Sequence, residues 1–201
     1  MNKLIKLLSL IIMLSNLSVA DNIQPASKYL GFIDQDIILG NPSSKKYLIV
    51  YSSLSCPHCS DFYNKIFPKL KSELIDTNKI AFANRSFISD RVSLAGTMLA
   101  MCNGNENYYT MLKVLYSKSD YWVVNPNYLQ ILEKLANLGG INSERFHKCV
   151  NDQALQTRLV DSQKAALNEL NISAIPAFII NGKVLVGLLD YKRIKEELNI
   201  E

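Results

Sequence analysis

Residues 46–53, KYLIVYSS, form an unbroken run of mostly apolar β-formers, and a Cys-Pro-His-Cys segment begins at Cys56. A run without polar alternation reads as a strand covered on both faces. After Pro57 the pattern changes. Phe62, Ile66, Leu70 and Leu74 recur four apart, the spacing of one helix face. Pro68 falls inside this helix and is expected to kink it or split it in two. KIAFANRSF (79–87) reads as the next strand. The three segments make a β-α-β unit, with the cysteines where strand gives way to helix.

FIDQDIILG (32–40) reads as an edge strand, and NPSS (41–44) as a turn. From 90 to 170 the chain is helical in pattern: VSLAGTMLAMC, NYYTMLKVLYS, NYLQILEKLANL, SERFHKCV and LVDSQKAALNEL, separated by Asn, Gly and Ser-Asp breaks. Strand signals return in AFIINGKVLVG (177–187), two β-rich runs around Asn181-Gly182, a dipeptide that favours a tight hairpin. DYKRIKEELNI (190–200) is a last amphipathic helix. The fold class expected is α/β. A lead-in at 21–31 precedes a core of 32–89 and 171–201, and the helical block 90–170 is inserted into that core.

The cysteine pair has four candidate chemistries. A c-type haem needs histidine directly after the second cysteine, and Ser60 stands there. Structural zinc needs four ligands, and the remaining candidates are Cys102, His147 and Cys149 without a second Cys-x-x-Cys. A structural disulfide across so short a loop removes little unfolded-chain entropy. Redox exchange fits best. Pro57 suits a first helical position, where a missing N–H is harmless. Cys56 then sits at the N-cap, facing unpaired amides and the positive end of the helix dipole, which favours its thiolate. Cys59 lies one turn inward and less exposed, giving an attacking and a resolving sulfur. His58, inside the motif, is a second thiolate-tuning group; its plainer reading is an exposed helix-start residue.

The chain has 201 residues, enough for one domain with an insertion, and a net charge of +4 from 22 basic and 18 acidic side chains. No basic cluster is dense enough to indicate nucleic acid as a partner. Lys3 and Lys6 precede an apolar run from Leu7 to Leu14, and Ser18-Val19-Ala20 offers small residues for cleavage before Asp21. Residues 1–20 therefore read as a cleavable signal peptide. The run is too short to span a bilayer comfortably. An exported protein, in an oxidising compartment, is the expectation.

At this point the residues resemble the DsbA family of thiol:disulfide oxidoreductases, which have a thioredoxin fold. The resemblance rests on IILGNPSSKKYLIVYSSLSCPHCSDFYNKIFPKLKSELIDTNKIAF and NISAIPAFIINGKVLVGLLDYKRIKEEL, covers roughly 32 to 198, and is nearest to α-proteobacterial, rickettsia-like members. It implies a thioredoxin fold with an inserted all-helical subdomain. It implies a redox pair Cys56–Cys59, and a cis-proline at Ile175-Pro176 facing that pair as a substrate contact. It implies no cofactor. The partners implied are exported proteins with reduced cysteines and a membrane redox partner that resets the pair. The periplasm is the compartment implied. One departure stands out. Many members carry a buried acid six residues before the first cysteine, and this chain has Val50 there.

Cys102 and Cys149 make the cysteine count even, which in an exported protein favours a second, structural disulfide over two buried thiols. Two rival functions remain open: a disulfide reductase or isomerase, and a non-redox peptide-binding chaperone-like module. Isomerases of this kind usually carry a dimerisation domain, and 21–31 is too short for one.

Overall fold

The computed structural model describes residues 27–102 and 104–201. The signal-peptide reading of 1–20, and the first part of the lead-in, lie outside the described residues.

Five strands form one mixed sheet in the order β1-β3-β2-β4-β5. They are β1 (Ile38–Gly40), β2 (Tyr47–Ser52), β3 (Ala81–Ser86), β4 (Ala177–Ile180) and β5 (Lys183–Val186). β2 is central, parallel to β3 and antiparallel to β4. Its side chains alternate between two covered faces. Leu48 and Val50 join a core with the helix that follows β2. Ile49 and Tyr51 pack on the other face with Ala166 and Leu170. Burial on both sides is why this strand reads as a continuous apolar run. β1 is shorter than the edge strand expected from 32–40. Asp36 turns back instead, its carboxylate accepting from the Ile33 amide at 2.9 Å. The hairpin β4–β5 turns through Asn181 and Gly182, both at positive φ (50° and 87°), the geometry of a type I′ turn.

The helix after β2 does not break at Pro68. It starts as α1 (Pro57–Asp61), widens into a π-helical stretch (Phe62–Ile66), returns as α2 (Phe67–Leu70) and widens again (Lys71–Ile75). The Phe67 amide bonds to the Phe62 carbonyl five residues back. That wider turn takes up the missing N–H and the ring of the following proline, so the rod continues.

Among the described residues six helices lie between β3 and β4: α3 (Arg91–Cys102), α4 (Tyr108–Ser117), α5 (Ser119–Trp122), α6 (Tyr128–Leu138), α7 (Ser143–Val150) and α8 (Gln153–Leu170). α5 is one turn long and leaves no periodic signal. α8 begins before the stretch that suggested it, capped by Asp152, whose carboxylate accepts from the Leu155 amide. α9 (Tyr191–Glu197) closes the chain behind an Asp190 cap.

A buried cation fastens the N-terminal segment to the sheet. Arg85 on β3 donates to both Asp36 oxygens at 2.9 and 2.7 Å, to the Tyr29 and Gly31 carbonyls, and to the Tyr51 hydroxyl. The two side chains are 8% and 3% exposed. Burial works against the guanidinium charge, and Asp36 outweighs it, so the Arg85 pKa is raised. Removing one partner of such a pair leaves an uncompensated buried charge. Asp36→Asn is expected to lose about 3 kcal/mol in urea unfolding, and Asp36→Asn with Arg85→Met distinctly less.

Gly96 stands mid-helix in α3 because Trp122 lies on it. A Cβ there would fall 2.7 Å from the Trp122 ring and 2.9 Å from Leu54. Helix propensity alone would make alanine better by about 1 kcal/mol. Overpacking reverses the sign: Gly96→Ala should destabilise by about 1–3 kcal/mol, read from the same unfolding curves.

Candidate active site

β2 ends at Ser52, and four residues later Cys56 caps α1. Cys56 has extended backbone (φ −93°, ψ 120°), and Pro57 occupies the first helical position. The Ser60 amide closes the first turn on the Cys56 carbonyl at 3.0 Å. Pro57 and His58 are exposed, Cys56 is half-buried and Cys59 is fully buried. The two cysteines are not joined in this structure.

β4 supplies the opposite wall. Its register with β2 pairs Ala177 with Tyr51, so Pro176 begins where β2 ends. The Ile175-Pro176 bond is cis. Cys56 Sγ lies 3.9 Å from the Ile175 carbonyl oxygen. The structure thus brings Cys56, Cys59, Ile175 and Pro176 together, with Pro57 and His58 on the rim.

The sulfurs sit in different surroundings. Burial pushes the Cys59 thiol well up; the Ser53 amide facing it opposes the shift, and its own donation to Cys56 adds to it. Val50, fully buried, shares one apolar cluster with Cys59, and the groups that act on the Cys59 thiol are Ser53 and Cys56. A chain of neutral polar groups starts at Ser52, the last residue of β2. Tyr116 donates to Ser52 Oγ at 2.9 Å, and Ser52 donates to Asn84 Oδ1 at 2.5 Å.

A second hydroxyl group braces the turn into Cys56. Ser89 Oγ lies 2.8 Å from Ser53 Oγ and 2.9 Å from Ser55 Oγ. Ser89 leads into the cap of α3. There the Asp90 carboxylate accepts from the Ser93 amide at 2.6 Å, while Ser93 Oγ accepts from the Asp90 amide at 3.1 Å. This reciprocal pair is a capping box. The Asp-x-x-Ser spacing of 90–93 carries that signal in the sequence. The contact of Ser89 with 53 and 55 carries none, because it joins residues over thirty positions apart.

Cys102 and Cys149 are joined as a disulfide between α3 and α7, with Cα atoms 5.8 Å apart. They and His147 are therefore not grouped with the Cys56–Cys59 pair. His147 is exposed on α7, 3.5 Å from Glu133. Trp122, Tyr108 and Tyr116 are core residues. A cavity of about 390 Å³ opens between α8 and the sheet, lined by Ile33, Tyr51, Arg85, Tyr108, Leu155 and Leu159 among others, and includes neither redox-motif cysteine.

A vicinal cysteine pair at the end of a central strand, faced by the start of an antiparallel neighbour, defines a thioredoxin-fold protein with helices inserted after β3. The chain belongs to the thioredoxin family, whose pattern (Thioredoxin) it matches from residue 33 to 199. Its relatives are DsbA-like. It is 33% identical over 150 residues to a Rickettsia bellii protein provisionally named a protein-disulfide oxidoreductase, covering 74% of this chain and 58% of that one. It is 25% identical over 175 residues to disulfide bond formation protein D of Bacillus subtilis, covering 82% and 76%. Among solved structures, Wolbachia pipientis alpha-DsbA1 superposes with a TM-score of 0.80 at 29% identity, covering 87% of this chain and 94% of that one. The chain spans under six-tenths of the length of the Rickettsia relatives it matches.

The Asp90 cap gives a pH signature. Burial raises the Asp90 pKa, but the amides and hydroxyls of Ser93, Ser55 and Val92 outweigh it, and the net shift is downward. A depressed carboxylate contributes stability above its unfolded pKa of about 3.9, lost as pH falls through the lower folded value. Asp90→Ala should cost about 1 kcal/mol at pH 7. The gap between variant and native unfolding midpoints should close in titrations taken below about pH 3.

Proposed function

We propose that this chain is an exported thiol:disulfide oxidoreductase that donates a Cys56–Cys59 disulfide to reduced cysteines of folding exported proteins. The observation that carries the reading is the asymmetry of the pair: Cys56 accessible at a helix N-cap, Cys59 fully buried one turn inward. In the oxidised protein a substrate thiolate attacks Cys56 Sγ. A substrate–Cys56 bond forms, the Cys56–Cys59 bond breaks, and Cys59 leaves with the electron pair. The substrate's second thiol loses its proton and attacks the substrate sulfur of the mixed disulfide. Cys56 leaves as thiolate, and Cys59 takes up a proton. The substrate is oxidised by two electrons and the protein reduced by two.

The helix N-terminus makes Cys56 a good leaving group. His58 and Pro57 tune that thiolate. Stabilising the reduced form makes the disulfide the stronger oxidant. The backbone at Ile175-Pro176 takes an extended substrate segment beside the attacked sulfur, in the manner of strand addition. Residues 1–20 direct export to the periplasm and are removed there. A membrane redox partner returns the pair to the disulfide. The division into core segments 32–89 and 171–201 with an inserted block 90–170 belongs to the same reading.

The test is the equilibrium of the purified protein with glutathione buffers, together with oxidation of a dithiol peptide. The Cys56–Cys59 potential should lie well above the thioredoxin value of about −270 mV. A thioredoxin-like value would point to a reductase or isomerase. Cys56→Ser should abolish peptide oxidation, and Cys59→Ser, reacted with excess of the peptide in its disulfide form, should accumulate a Cys56–peptide mixed disulfide, visible as a mass adduct. Activity surviving in Cys56→Ser would refute the scheme.

A further inference from the structure

Cys56 begins α1 without the usual fastening. It holds the N-cap with no side-chain bond to the helix, and Pro57 brings no amide to the first turn. The place of Cys56 is set instead by the three residues before it. The Cys56 amide donates to the Ser53 carbonyl at 3.2 Å, closing a turn over 53–56. Within it the Ser55 amide donates to Ser53 Oγ at 3.4 Å, and the two serine hydroxyls lie 3.2 Å apart. Ser53 and Leu54 are buried, 1% and 2% exposed.

All three turn residues rest on α3 and the residue leading into it. Ser89 Oγ lies 2.8 Å from Ser53 Oγ and 2.9 Å from Ser55 Oγ. Leu54 Cδ1 fills the space that a Cβ on Gly96 would need, 2.9 Å from it. Ser89 is itself tied down, its amide donating to Ser93 Oγ at 3.1 Å in the first turn of α3. A continuous path of hydrogen bonds thus runs from Ser93 through Ser89 and Ser53 to the Cys56 amide. Every group on that path is neutral, so opening or closing the disulfide changes no charge on it.

We infer that Ser89 is a positioning residue for the exchange reaction: it holds the turn 53–55 against α3, and so fixes the direction in which Cys56 Sγ meets an incoming sulfur. This rests on the exchange reaction proposed above. A thiolate displaces a sulfur along the line of the bond that breaks, so the rate depends on how closely the three sulfurs are held in line. When the attacking thiolate bonds to Cys56 Sγ, the Cys56–Cys59 bond breaks and its electron pair goes to Cys59. Cys59 is fixed by the core around it, so the alignment is decided at Cys56. Without the Ser89 hydroxyl the turn keeps its internal bonds and loses its tie to α3. Ser89 acts through the backbone of the turn, and the inserted helices thereby set the speed of chemistry done at the end of β2.

The experiment measures the rate at which reduced glutathione opens the Cys56–Cys59 disulfide, the rate at which oxidised glutathione restores it, and the equilibrium constant between them. In the opening direction two glutathione thiols become one glutathione disulfide and the protein takes up two electrons. The proteins are native, Ser89→Ala, Ser89→Thr and Asn142→Ala, with thermal unfolding of each. Ser89 is exposed, so its substitutions leave the core intact. Asn142 caps α7 by accepting from the Arg145 amide at 2.9 Å, and its removal lowers stability among the same inserted helices without touching the turn. Ser89→Ala should slow opening and closing alike by about 3- to 10-fold, as for the loss of neutral hydrogen bonds. Its equilibrium constant should stay within about twofold of native, because the brace is the same in both end states. Ser89→Thr keeps the hydroxyl and should run within about twofold of native, as should Asn142→Ala. Ser89→Ala rates within about twofold of native overturn the inference, and so does a Ser89→Thr protein as slow as Ser89→Ala. An Asn142→Ala protein equally slow, or a Ser89→Ala equilibrium constant that moves as far as the rates, overturns it as well, since a general structural lesion would do either. A native protein that does not exchange with glutathione refutes the proposed function and takes the role of Ser89 with it.

Discussion

The site depends on the antiparallel register between β2 and β4. Pairing Tyr51 with Ala177 fixes the end of one strand against the start of the other. The polypeptide has no other reason to bring residue 56 near residue 175. Both strands are buried on both faces, so a one-residue slip would turn every side chain to the wrong layer. A polar-faced strand would not be held this firmly. The apolar run that identifies β2 is thus also what aims the cysteines at the Ile175 carbonyl.

The same sheet separates two polar systems by face. On one side Arg85 spends all its donors holding Tyr29, Gly31, Asp36 and Tyr51. That network is charged and saturated. On the other side Ser52, Asn84, Tyr108 and Tyr116 form a neutral chain, with Tyr63 beside it unpaired. A saturated ion pair resists change because breaking any one contact strands a charge. A neutral hydroxyl chain can exchange partners by rotation about a C–O bond.

Much of this was legible in the sequence, and the reason differs by element. The β2 run, the four-residue spacing from Phe62 to Leu74 and the Asn181-Gly182 turn are local signals, and each matches an observed element. The helical block was legible for the same reason, except α5, whose four residues are too few to show a period. Pro68 misled because a proline read alone implies a break. The i+5 bond to Phe62 that absorbs it is decided by packing of the whole rod. The place of the cysteine motif, at the junction of strand and helix, was legible from local spacing. The polar groups around it did not announce themselves, because Ser52 meets Tyr116 across 64 positions and Ser53 meets Ser89 across 36.

Val50 shows how a missing residue can be informative. Read alone, an apolar side chain six residues before Cys56 leaves that strand without a proton acceptor for Cys59. The structure places Val50 in the same cluster as Cys59, Tyr63 and Tyr116, with Tyr63 stacked on Tyr116. A buried carboxylate and a buried hydroxyl meet the same demand by opposite means. The carboxylate takes a proton away and must itself avoid lying ionised beside a thiolate, since two like charges in a low dielectric repel strongly. A hydroxyl adds no charge and stabilises the thiolate directly by donation. The second arrangement tolerates an apolar floor, which an acid would not.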